Sequence, residues 1–220
     1  MPSFVLTKSK RTTRHCKICF KEIKDYSLFN FFNNDNELCE NCFHEFKAKF
    51  INFKIGTIEG LSIYNYDDFI RKLLYTFKGC YDIELKNVFL CRYLPYLKMK
   101  YRGYVVVPAP SSKIDDEKRG FNHVKEIYKS LGLPILDILE KNTVDKQSSK
   151  SKKKRLNIEK IIEGKNIEIL NGKKVLIVDD IYTTGATIFK CIEIVKEARP
   201  KVIKVLVVAK TIDMIKRRKT

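Results

Sequence analysis

Val175-Leu-Ile-Val-Asp-Asp-Ile-Tyr-Thr-Thr-Gly-Ala-Thr187 is the stretch that decides the fold. Val175 to Val178 are four apolar residues in a row, the pattern of a strand buried on both faces. Asp179 and Asp180 stand where that strand is expected to end. Thr183, Thr184, Gly185, Ala186 and Thr187 then form a turn leading into an amphipathic run from Ile188 to Ala198. In open α/β sheets, ligands bind beyond the carboxyl ends of the strands. A Thr/Gly turn that opens a helix there offers backbone N–H groups and hydroxyls to an anion. Two carboxylates can accept hydrogen bonds from a sugar diol. The segment therefore combines a diol grip with an anion cradle, more polar groups than a helix cap requires.

Working outward, strands alternate with helical patterns, which argues for a parallel sheet. Residues 60–66 alternate as a strand. Asp67-Asp68 caps a run in which Phe69, Ile70, Leu73, Leu74 and Phe77 recur at helical spacing, with Gly79 as its stop. Residues 83–99 read as a second helix. Tyr104 to Val107 reads as a strand halted by Pro108-Ala-Pro110. A helix is expected from near Gly120 through Leu131, and a short strand over Leu133 to Ile138. Residues 141–155 are polar and Lys-rich and read as a loop or flap. A helix near 156–163, a strand over 174–178, a helix over 186–198 and a strand over 202–209 complete the pattern.

Cys16-Lys-Ile-Cys19 and Cys39-Glu-Asn-Cys42 are two Cys-x₂-Cys units separated by residues 20–38. That spacing falls within the range of Cys₄ zinc sites. Each unit turns two thiolates toward one tetrahedral ion. Residues 1–50 are too few to bury a sufficient core alone, so a metal staple fits. His15 and His44 flank the units and read as bystanders. Cys80, Cys91 and Cys191 read as small core residues. The resulting expectation is a Cys₄ module over 1–52 and an α/β domain over 53–220.

The 220 residues carry 44 Lys and Arg against 26 Asp and Glu, a net charge of +18. That excess favours polyanions such as nucleic acid. Richness in Lys, Asn, Ile, Phe and Tyr also suits AT-rich codons, and so weakens the inference. No run of 18 apolar residues occurs, so no membrane span is expected. A cytoplasmic location follows as the default, with a peripheral place at the inner face of the membrane as its variant. Lys152, Lys153, Lys154 and Arg155 form a cationic cluster suited to DNA phosphates or to closing over an anion. Among the 14 Phe and 11 Tyr, Phe29, Phe31, Phe32 and Phe43 lie near the Cys units as candidate stacking groups.

The 175–187 segment resembles the phosphoribosyl pyrophosphate (PRPP) motif of type I phosphoribosyltransferases. That resemblance implies ribose hydroxyls on Asp179 and Asp180, and the 5′-phosphate on Thr183, Thr184, Gly185, Ala186 and Thr187. It further implies pyrophosphate, carried with Mg²⁺, on Ser111, Ser112, Lys113 and Arg119. The whole chain is similar to the ComF family. The shared features are the Cys₄ units, Tyr66 to Arg71 ending in Phe77-Lys78-Gly79, Pro108-Ala-Pro110, Arg119-Gly120-Phe121-Asn122 and the Asp-Asp/Thr-Thr-Gly-Ala-Thr segment. Gln147 and Arg155-Leu156-Asn157 extend the likeness. The chain departs from it at His123, where Gln is usual, and at Asp115-Asp116-Glu117, in a loop often basic. The resemblance implies a type I phosphoribosyltransferase-like parallel sheet flanked by helices with an N-terminal Cys₄ zinc module. It implies help in the uptake of single-stranded DNA during natural competence, with a helicase and other DNA-processing proteins as partners. The alternative is active transfer of ribose 5-phosphate from PRPP to an acceptor, a reaction needing position and charge screening rather than a nucleophile.

Overall fold

The computed structural model describes residues 14–23, 37–143 and 160–211, and the chain falls into two compact units, 1–45 and 46–220. The four cations 152–155, together with Gln147, Asn157, Phe29, Phe31 and Phe32, lie outside the described residues.

The first unit holds a minimal antiparallel pair, β1 (Arg14–His15) and β2 (Glu22–Ile23), and a short helix, α1 (Glu40–Glu45). Its buried side chains include Cys16, Ile23, Leu38 and Cys42. Two of the four cysteine thiols are thus among the buried groups of the described residues of this unit.

The second unit is built on five strands in the order β3-β4-β9-β8-β5. They are β3 (Ile51–Ile55), β4 (Ile58–Asn65), β5 (Tyr104–Pro108), β8 (Lys174–Tyr182) and β9 (Val202–Lys210). Only the β3–β4 pairing is antiparallel; β4–β9, β9–β8 and β8–β5 run parallel. Val175, Leu176, Ile177 and Val178 are fully buried, as a strand covered on both faces demands. Helices α2 (Asp68–Gly79), α3 (Leu94–Lys100), α4 (Lys113–Arg119), α5 (His123–Tyr128) and α6 (Ala186–Glu197) connect the strands. Asp67 caps α2 by accepting from the Ile70 N–H at 2.9 Å, and Ile70, Leu73, Leu74 and Phe77 form its buried face.

Several local expectations change. Residues 83–99 are not one helix but two 3₁₀ turns, Ile83–Asn87 and Cys91–Tyr93, followed by α3. Val88, Phe89 and Leu90 are all fully buried, so no amphipathic face exists there, and Pro95 starts the new helix. Gly120 does not open a helix. It ends α4 in the left-handed conformation, φ +81°, and Asn122 caps α5 instead. Residues 133–138 make a single parallel bridge to β5, in which the Val106 N–H donates to the Pro134 carbonyl and the Leu136 N–H to the Val106 carbonyl. Residues 160–164, read as part of a helix, are strand β7 (Lys160–Gly164), which pairs with β6 (Leu139–Thr143) in an antiparallel hairpin. Five residues are too short for periodicity to separate helix from strand.

Candidate binding site and metal centre

Strand β8 runs past its apolar core and carries both acids inside it, pairing onward through Tyr182 and Lys210. The strand is therefore longer than the 174–178 stretch the apolar run suggested. Each acid folds back on the main chain. Asp179 Oδ1 accepts from the Asp180 N–H at 2.8 Å, and Asp180 Oδ1 from the Ile181 N–H at 2.7 Å. Tyr128, fully buried at the end of α5, donates its hydroxyl to the Asp179 carbonyl at 2.9 Å, with the Leu206 carbonyl 3.2 Å away.

The two carboxyls differ sharply. Asp180 is 6% exposed, and its Oδ2 lies 2.5 Å from Lys78 Nζ and 3.3 Å from His123 Nε2. Burial alone would raise its pKa, but the His123 hydrogen bond and the Lys78 charge outweigh that and hold it well below the usual carboxylate range. Asp179 goes the other way. Burial and then the Asp180 charge push it well above that range. The surroundings thus favour the ionised form of Asp180 and the neutral form of Asp179, so the two carboxyls differ in character.

The turn that follows is open to solvent at Thr183, Thr184 and Ala186, with Gly185 and Thr187 half-buried. Gly185 takes φ +80° at the start of α6, and a Cβ there would lie 2.4 Å from the Tyr182 hydroxyl. Conformation and close approach both require glycine. With no side chain at the cap and no acid in the first turn of α6, that end of the helix favours an anion.

Among the residues expected on pyrophosphate, Ser111 hydrogen-bonds Asp116 Oδ2 and receives Asn122 Nδ2 at 2.9 Å. Ser112 caps α4, accepting weakly from the Asp115 N–H at 3.4 Å. Lys113 reaches Glu140 at 2.9 Å, a carboxylate shared with Lys165 at 2.8 Å. Arg119 faces inward, its side chain 9% exposed. Its Nε donates to the Lys78 carbonyl at 3.0 Å, and its Nη1 lies 3.0 Å from Asp116 Oδ1 and 3.1 Å from His123 Nδ1. Sequence reasoning gave Lys78 and His123 no role at the acids. The distances in sequence, 102 residues for Lys78, leave no local signal.

In the first unit, the four Sγ atoms of Cys16, Cys19, Cys39 and Cys42 all lie within 4.8 Å of one another, with Cys19 and Cys39 at 3.6 Å. A tetrahedral ion with Zn–S near ~2.3 Å needs edges of roughly 3.8 Å, so the donor set fits zinc. Burial would raise Cys16, but backbone N–H groups of Cys19 and Cys39 outweigh it and bring it to about 7. Burial, then the hydrogen-bonded thiols, push Cys42 up. Four thiols this close cannot all ionise without a shared cation.

A profile of the phosphoribosyl transferase domain matches residues 117–219. The chain is 33% identical over 174 residues to the competence protein ComFC of Streptococcus pneumoniae, covering 76% of this chain and 78% of that protein. It is 36% identical over 129 residues to ComFC of Bacillus subtilis, 58% of this chain and about half, 53%, of that protein. The purine phosphoribosyltransferase of Pyrococcus horikoshii superposes with a TM-score of 0.34 at 20% identity, over 58% of this chain and 83% of that one. So loose a superposition carries no further argument.

Proposed function

Because the chain belongs to the ComFC family of competence proteins with a phosphoribosyltransferase domain, we propose that its second unit binds a ribose 5-phosphate group, from PRPP or ribose 5-phosphate itself, while the protein handles single-stranded DNA in the cytoplasm. One observation carries the reading. Asp179 and Asp180, side by side near the end of β8 with pKa values shifted in opposite directions, stand directly before a glycine-dependent turn whose helix favours an anion. A sugar diol needs a hydrogen-bond acceptor, and a phosphate needs N–H groups and hydroxyls. Asp179 and Asp180 meet the first need, and residues 183–187 the second.

Pyrophosphate, carried with Mg²⁺, would meet Ser111, Ser112, Lys113 and Arg119 where each already holds an internal partner, and so would compete with the Asp116 and Glu140 carboxylates for them. That makes ribose 5-phosphate the better-matched probe and leaves turnover of PRPP as the second reading. The Cys₄ module over 1–52 holds one zinc ion. The net charge of +18 and the 152–155 cluster support DNA binding through phosphates, independent of sequence. A competence helicase and other DNA-processing proteins are partners on the strength of the family. No helix among the described residues is long and apolar enough to cross a membrane.

Calorimetry with ribose 5-phosphate tests the reading. Asp179→Asn with Asp180→Asn should weaken binding by about 2–4 kcal/mol. Equal affinity in wild type and double variant would refute it. Release of pyrophosphate from Mg²⁺–PRPP in the presence of a nucleobase would favour the transferase reading.

A further inference from the structure

Four side chains from four elements close a ring. Lys78 at the end of α2 sets its Nζ 2.5 Å from Asp180 Oδ2 on β8. His123 at the start of α5 sets its Nε2 3.3 Å from the same oxygen. Arg119 at the end of α4 sets its Nη1 3.1 Å from His123 Nδ1. The Arg119 Nε returns to the Lys78 carbonyl at 3.0 Å and closes the circuit. The side chains of Arg119, His123 and Asp180 are 9%, 12% and 9% exposed. Little water competes for these bonds.

The ring has a direction. A guanidinium carries only donors. The His123 nitrogen that faces it must therefore accept, so Nδ1 bears no proton and the ring proton sits on Nε2. That nitrogen lies 3.3 Å from Asp180 Oδ2, which only accepts when ionised. Every bond then runs toward the carboxylate, with Lys78 arriving from the other side. The opposite tautomer would set N–H against guanidinium and lone pair against carboxylate, two repulsions in a nearly dry place. A doubly protonated ring would keep the Asp180 bond and lose the Arg119 one.

The carboxylate is correspondingly constrained. Oδ2 takes Lys78 and His123, while Oδ1 takes the Ile181 N–H at 2.7 Å. An ionised carboxylate offers about four lone-pair sites, so roughly one direction is left for a ligand. We propose that His123 is a positioning residue: Arg119 fixes its tautomer, and its Nε2–H fixes the direction in which Asp180 presents its carboxylate. The consequence for binding rests on the ribose 5-phosphate reading above; the ring itself does not.

Glutamine reproduces the polarity of this tautomer, with a carbonyl for Arg119 and an amide N–H for Asp180. Leucine fills the space and supplies neither. Long-range ¹H–¹⁵N spectra of the imidazoles, with the His123 signal identified by its loss in His123→Gln, should show Nε2 protonated and Nδ1 bare. A proton on Nδ1, or on both nitrogens at neutral pH, would overturn the proposal. In calorimetry with ribose 5-phosphate, His123→Leu should bind about ten- to a hundredfold more weakly. His123→Gln should restore affinity to within roughly threefold of wild type. Equal affinity in the two variants would also overturn it. If wild-type protein does not bind ribose 5-phosphate, the ribose-phosphate reading falls. The ring is then judged on the tautomer and on a double-mutant cycle of unfolding midpoints between His123→Leu and Asp180→Asn. Non-additive shifts support the ring, and additive ones sink it.

Discussion

The thiol cluster of the first unit and the acid pair of the second solve the same electrostatic problem in opposite ways. Each crowds like-charged or potentially charged groups into a partly dry space. The thiols are four, all within 4.8 Å of one another. Their pKa values split, with Cys16 near 7 and Cys42 pushed up, because the main chain can stabilise only one thiolate well. A divalent ion is the natural completion. The acids are completed from within: Lys78 and His123 meet Asp180, and burial beside Asp180 favours the neutral form of Asp179. One site is open to completion by a metal ion, and the other is completed by tertiary folding.

The largest effect should follow from breaking the first solution. Structural zinc contributes on the order of 10–16 kcal/mol in small modules that fold around it. Cys39→Ser should therefore abolish stoichiometric zinc and collapse the NMR dispersion of that unit, while residues 46–220 keep a cooperative transition. Elemental analysis of protein purified without chelator decides the matter. A chain free of zinc and iron, yet with a folded first unit, would erase the contrast.

An intermediate effect should follow from breaking the second. Lys78→Met leaves Asp180 buried with His123 alone. Loss of one partner from a buried pair costs about 3–5 kcal/mol. Lys78 is a third exposed and His123 remains, so about 1–3 kcal/mol is expected from the denaturation midpoint. A shift near zero would mean that the pair behaves as an ordinary surface bridge.

The smallest effect concerns Asp179. Its folded pKa is raised, so the neutral form favours folding at acid pH. That contribution is complete below the unfolded value, about 3.9, and is lost as pH rises toward the folded one. Asn mimics the neutral form. Asp179→Asn should thus raise Tm at pH 8 by ~2–4 °C and leave it unchanged near pH 3.5. Asp180 has the reverse sign. Its depressed pKa contributes stability above about 3.9, and this is lost only as pH falls below the usual carboxylate range. A variant of Asp179 that is less stable at pH 8 would make the two acids equivalent.

How legible each site was in the sequence follows the same division. The Cys₄ cluster is two local turns at a diagnostic spacing, so one residue type at four positions suffices to read it. The parallel sheet announces itself through Val175 to Val178 and Val205 to Ala209, runs buried on both sides. The acids and the Thr/Gly turn were visible as well. Their partners were not. Lys78 sits on α2 and Arg119 on α4 as ordinary cations near the ends of their helices. Only the tertiary fold brings Lys78 to the Asp180 carboxylate and Arg119 to His123 beside it. The β6–β7 hairpin was lost for another reason. Its strands are five residues each, and non-local pairing decides what so short a pattern becomes.

Helix α5 holds β8 at two points, and the two grips differ in kind. His123 at its first residue takes the side chain of Asp180, while Tyr128 at its last takes the main-chain carbonyl of Asp179. Side chains alternate along a strand, whereas carbonyls recur with a different phase. A slip of one residue would therefore put Asp179 or Ile181 in the place of Asp180 and turn the carbonyl away from Tyr128 at once. Together the two contacts act as a vernier. They let the strand seat at one graduation only, so the acids stop at the same place each time the protein folds.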